Sequence, residues 1–149
     1  GALLINLIKE NFAPAIIESG DERQVYELAS DHGDYIIFAK YRGSKQGNAW
    51  NFVFTARDVA RLESLGEKEN SVIVALVCGD KKLNDSEIAY VTYDELQRVI
   101  HFNEVEQHLT IRAKSNARFF EVYSGVYDPA RVLRVRRDEG ERLKELINE

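Results

Sequence analysis

The chain has one cysteine, two prolines and no methionine in 149 residues. A single cysteine, Cys78, excludes an internal disulfide and a thiolate zinc cluster, and fits a reducing compartment. Because methionine is missing even from position 1, Gly1 reads as a processed or tag-derived start, or else modified methionines are absent from the chain as written. No apolar run approaches the ~20 residues of a membrane-spanning helix. The longest covers residues 72–78 and suits a buried strand. The first residues lack the basic stretch of a signal peptide. These absences lead us to expect a soluble, cytoplasmic protein with no membrane contact. The P-loop, dinucleotide-binding and nucleophile-elbow patterns are also missing, so no cofactor is expected.

The composition that remains is ordinary for a folded protein, at 44% apolar and 30% charged residues,. The length suits one domain with its own core, spanning 1–149. Strand-like segments recur before segments of helical spacing. Residues 35–42 and 50–55 are aromatic and β-branched, and flank a Gly-Ser-Lys-Gln-Gly-Asn loop whose glycines permit a tight reversal. Thr55 then precedes Asp58 in a cap-like start, Val59, Leu62 and Leu65 form a stripe, and Gly66 supplies an end. Residues 72–78 read as a central strand with 88–92 as its partner. Thr92-Tyr93-Asp94-Glu95 is a capping box, followed by Leu96, Val99 and Ile100 at helical spacing. Residues 109–114, 118–124 and 131–137 read as three further strands, and Leu143, Leu146 and Ile147 as the stripe of a last helix. Leu3, Leu4, Leu7 and Ile8 suggest a short helix before Pro14. In the stretch after it, residues 15–18 read as a strand and 24–29 as a helical turn.

Short links favour antiparallel pairing. The expectation is an α+β domain built from strand-strand-helix units. It would hold a mainly antiparallel or mixed sheet of about six or seven strands, with about three or four helices covering one face. Residues 72–78 should be the most buried strand, and Trp50, Phe52 and Phe54 should share one core-facing side.

Candidate chemistry is sparse. His32, His101 and His108 are scattered and lack the i, i+4 spacing of a zinc helix. Cys78 ends the most apolar run and reads as a small buried hydrophobe rather than a nucleophile. Asp80-Lys81-Lys82 matches the acid-x-lysine element of metal-dependent nucleases, but the upstream acid such a site needs is not evident, and Asp34 and Asp58 are candidates only by elimination. The Gly43–Gly47 loop has the glycines and the lysine of a phosphate cradle, but reads more simply as a hairpin loop.

Charge is distributed unevenly. Residues 1–111 carry a net −7, residues 112–137 a net +5, and the remainder a net −3. Strand alternation sharpens this asymmetry. If Ile111, Phe120, Val122, Leu133 and Val135 point inward, then Arg112, Lys114, Arg134 and Arg136 point outward with Phe119 and Tyr123. Were the three strands neighbours, one face would interleave cations with aromatic rings. Such a face suits single-stranded nucleic acid, an acidic protein, or the acidic surface of a second copy. The leading expectation is a non-enzymatic binding domain using Arg112, Lys114, Phe119, Tyr123, Arg134 and Arg136. The alternative is a nuclease-like hydrolase with Asp80 and Lys82 at its site.

Overall fold

The computed structural model describes residues 2–20, 23–31, 33–43, 47–68, 71–80, 86–103 and 105–147. Nine strands and four helices occur among them. The strands form two sheets rather than the single sheet of six or seven strands expected from sequence.

The first sheet begins with an antiparallel meander of β1 (Ala13–Ser19), β2 (Gln24–Ser30) and β3 (Gly33–Arg42). It continues through β5 (Val72–Cys78), which runs parallel to β3, and ends with β6 (Glu87–Thr92), antiparallel to β5. Between β3 and β5 the chain leaves this sheet to make β4 (Ala49–Phe54) and α2 (Ala56–Lys68). A parallel pair needs such a long crossover. The second sheet is antiparallel, in the order β4, β7 (Gln107–Arg112), β8 (Phe119–Tyr123), β9 (Leu133–Arg136).

Two cores follow from strand alternation. On one side of the first sheet, Phe38, Val74 and Leu76 meet the inner face of the second sheet and the stripe of α2. On the other side, Ile37, Ile73 and Tyr90 meet Leu3 and Leu7 of α1 (Ala2–Lys9) and Leu143 and Ile147 of α4 (Glu139–Ile147). Helices therefore cover both faces of the first sheet, not one. Every residue of β5 is buried, as a strand between two cores requires,. Trp50, Phe52 and Phe54 all face the first core.

Four further local readings are corrected. Residues 24–29 form β2, not a helical turn. Val25 faces one core while Tyr26 and Leu28 face the other, a period of two that a short helical reading had obscured,. β3 and β4 are not a hairpin, because β4 pairs with β7 in the other sheet. The loop residues 44–46, on which the phosphate-cradle reading rested, lie outside the described residues. Gly66 does not end α2, which continues to Lys68. A side chain there would overlap the ring of Tyr93, so close packing explains the glycine better than chain reversal does. Finally, α3 is a single turn, Tyr93–Leu96, followed by turns that carry Val99 and Ile100. Its capping box is present in full, with Thr92 N–H donating to Glu95 and Glu95 N–H to the Thr92 hydroxyl.

Candidate functional site

The second sheet turns its inner residues, Ile111, Phe120, Val122 and Val135, into the core. Its outer face is formed by the alternate positions. Strand register sets Arg112 of β7 opposite Glu121 of β8, and Glu121 opposite Arg134 of β9. The next row pairs Phe119 with Arg136, and a third pairs Thr110 with Tyr123. The three strands are neighbours, so Arg112, Phe119, Tyr123, Arg134 and Arg136 share one face, with exposed Lys114 just beyond the end of β7.

This face is electrostatically mixed. Arg112 donates from Nη2 to Glu121 at 2.9 Å and from Nε at 3.2 Å. The hydroxyl of Tyr127, from the loop after β8, donates to the other Glu121 oxygen at 2.6 Å. The Arg112 guanidinium also lies over the Tyr127 ring, 4.5 Å from its centre. The Tyr127 hydrogen bond, followed by that of Arg112, holds the Glu121 carboxyl below its usual range, while Glu121 raises both partners. Arg136 reaches Glu145 of α4 at 2.8 Å. Two of the expected cations thus carry carboxylates from their own chain. Phe119 remains 42% exposed.

Arg137 belongs to the same basic stretch but takes no part in this face. It grips Glu87 of β6 through two bonds of 3.0 Å and donates to the carbonyls of Lys114 and Ala117. Its inward parity makes it a clamp between the sheets.

Beside the face, the turn after α3 and the loop from β8 to β9 border an open cleft of about 1120 Å³. Arg98, His101, Tyr123, Tyr127 and Arg131 line it. Tyr123 and Tyr127 meet edge-to-face with ring centres 5.2 Å apart.

Of the acids considered for a nuclease, Asp34 and Asp80 lie far apart. Asp34 precedes the first residue of β3 that pairs with β5, while Asp80 follows the last paired residue of β5. The parallel register therefore separates them by about ten residues, roughly 33 Å, along the strands,. Asp58 is fully buried, and both its oxygens bind cations, Lys40 and Arg23. Lys82 lies outside the described residues, as does His32. Among the described residues, no group of three metal-ligating side chains converges. His108 faces Glu106 at 3.1 Å on the surface. Cys78 is buried, and burial pushes its thiol well above its ordinary value. Among the described residues, no helix is long and apolar enough to cross a membrane.

One charged cluster with a buried centre was missed from sequence. Lys40 and Asp58 pair at 2.6 Å, Arg23 bridges Asp58 to Glu18, and Arg61 closes on Glu18 at 2.9 Å. The signal was present as a lone lysine inside the strand Tyr35-Ile36-Ile37-Phe38-Ala39-Lys40, where an inward cation demands an inward anion. Its chemistry is that of a structural knot: among the described residues no buried side-chain polar atom lacks a partner.

Comparison with known proteins gives no match: no family model, no curated protein and no solved structure shows significant similarity to the chain.

Proposed function

We propose that this chain is a non-enzymatic interaction domain that binds a protein partner through the outer face of its four-stranded sheet. The observation that carries the reading is the cross-strand row Arg112–Glu121–Arg134 beside exposed Phe119. Arginine, tyrosine and other aromatic side chains dominate the energetics of protein interfaces, most effectively where they are already held in place. Here the Arg112–Glu121–Tyr127 hydrogen bonds supply that order. Phosphate binding by counterion release favours cations without intramolecular carboxylates. The engagement of Arg112 by Glu121 and of Arg136 by Glu145 supports a mixed-charge protein surface over a single-stranded nucleic acid.

The test is a photo-crosslinking side chain placed at position 119. The expected result is a discrete protein adduct that disappears with Arg134→Glu, and whose partner, once purified, binds the unmodified domain. An adduct removed by nuclease rather than protease would overturn the protein reading in favour of nucleic acid. A labelled single-stranded oligonucleotide checks that outcome directly, since phosphate contacts weaken steeply between about 50 and 200 mM salt. The absence of any adduct would remove the face as a binding surface.

A further inference from the structure

The cleft beside the sheet has a composition distinct from the face itself. Its polar lining comes from three separate segments: Arg98 and His101 after α3, Tyr123 at the end of β8, and Asp128 and Arg131 in the following loop. Val99 and Leu133 add apolar wall. Its volume, about 1120 Å³, accommodates a small organic ligand,.

The two tyrosines are not equivalent. Tyr127 has Arg112 over its ring and its hydroxyl committed to Glu121. It is thereby fixed, and its edge-to-face contact with Tyr123 restrains that ring in turn,. A restrained ring lining a cleft loses little freedom when a flat ligand stacks on it. The cationic side chains Arg98 and Arg131 are exposed. Arg131 approaches Asp128 at only 3.9 Å with its side chain 87% exposed, a loose pair that leaves its guanidinium available to an anion,. Arginine matches phosphate oxygens with parallel N–H donors, and two arginines from different segments can approach one phosphate from two sides.

We propose that this cleft is a binding site for a free nucleoside phosphate. The base stacks on Tyr123 and the phosphate sits between Arg98 and Arg131. His101 is a further polar contact, and Asp128 accepts hydrogen bonds from sugar hydroxyls. The cleft shares Tyr123 and Tyr127 with the outer face proposed for partner binding, whereas Arg98, His101 and Arg131 lie outside the outer-face rows of β7, β8 and β9.

Calorimetric titration of the intact chain with AMP, GMP, CMP and UMP tests the proposal, with adenosine and ribose 5-phosphate as controls. At least one nucleotide should bind saturably, with a dissociation constant in the range of roughly 10 μM to 1 mM. Both controls should bind at least about tenfold more weakly, since each lacks half of the contacts. Arg98→Ala combined with Arg131→Ala should weaken nucleotide binding by about tenfold or more, and Tyr123→Phe should preserve what Tyr123→Ala loses. Both arginines are exposed, so an unchanged thermal melt is expected to show that the double variant folds. Phe119→Ala with Arg134→Ala should leave nucleotide affinity unchanged, which separates failure of the sheet-face reading from failure of this one. No saturable binding of any of the four nucleotides at about 5 mM would overturn the site. So would affinity unaffected by the double arginine variant, or ribose 5-phosphate binding as well as the nucleotides.

Discussion

Lys40 and Asp58 stand 2.6 Å apart in the interior, one on the inner side of β3 and the other in the first turn of α2. Asp58 holds three things at once. It accepts from Lys40 and Arg23, it accepts from the Thr55 backbone N–H at 3.1 Å, and its own N–H is capped by the Thr55 hydroxyl. Removing one partner of a buried ion pair strands the other, at a cost of about 3–5 kcal/mol. Asp58→Ala should therefore be among the most destabilising single changes in the chain. Lys40→Met should cost less, because Arg23 still neutralises Asp58. Urea denaturation midpoints decide the order, and a larger loss for Lys40→Met would mean that Arg23 contributes little inside the folded state.

Gly66 and Gly140 make an opposed pair of helical glycines. Alanine in a helix interior is favoured over glycine by about 1 kcal/mol. At Gly66 the added carbon would overlap the Tyr93 ring, which is itself packed on Phe102 with ring centres 5.1 Å apart. At Gly140 it would meet only the end of the Glu10 side chain, at 2.6 Å, which can swing away. Gly66→Ala should lower the melting temperature in spite of helix propensity, whereas Gly140→Ala should hold or raise it. Equal gains at both positions would show that Tyr93 moves aside freely.

Local order was readable from sequence; the partition into two sheets was not. The capping box at Thr92 and Glu95 depends on side chains three residues apart, and the all-apolar run of β5 states its own burial. The outward parity of Arg112, Phe119, Arg134 and Arg136 follows from alternation within single strands, and it needed only the hairpin register to become a face. What sequence could not supply was which strands are neighbours. β3 and β4 are adjacent in the chain and look like a hairpin, yet β3 pairs with β5, across residues 43–71, and β4 pairs with β7. That exchange creates the second sheet. The Lys40–Asp58 pair also depends on it, because only the turn from β4 into α2 carries Asp58 back over β3. Tyr127 was invisible for a similar reason, since its bond to Glu121 depends on how the loop after β8 folds back.

Glu139 opens α4 and accepts from the Ile88 N–H at 2.8 Å. Burial raises its carboxyl above the ordinary value, more than that hydrogen bond and Lys9 lower it. A carboxyl raised in the folded state binds its proton more tightly there. Its contribution to stability is therefore complete below the unfolded value, near 4.3, and is lost as pH rises through the folded value. At neutral pH the charge is a cost. Glu139→Gln keeps an acceptor for Ile88 and should stabilise the chain at pH 7, with the gain vanishing near pH 4. The loss of helix-dipole interaction offsets this by roughly 0.3–1 kcal/mol. Melting curves across that interval test the sign, and destabilisation by Gln at pH 7 would mean that the helix terminus outweighs burial.

Glu121 titrates in the opposite direction. The hydroxyl of Tyr127 lowers its carboxyl most and the Arg112 hydrogen bond adds to this. Tyr127→Phe and Arg112→Met should each move the Glu121 midpoint upward, and the two changes together should remove its depression,. A carboxyl depressed in the folded state contributes stability above its unfolded value and loses it as pH falls through the folded one. Any loss caused by Tyr127→Phe at neutral pH should therefore disappear in acid. Carboxyl carbon shifts followed by NMR report the midpoint of Glu121 directly. An unchanged midpoint in Tyr127→Phe would show that the hydroxyl does not hold the carboxylate in solution. Tyr127 would then be free to leave Arg112, and the ordered Arg112–Glu121–Tyr127 surface on which partner binding is proposed would lose its centre.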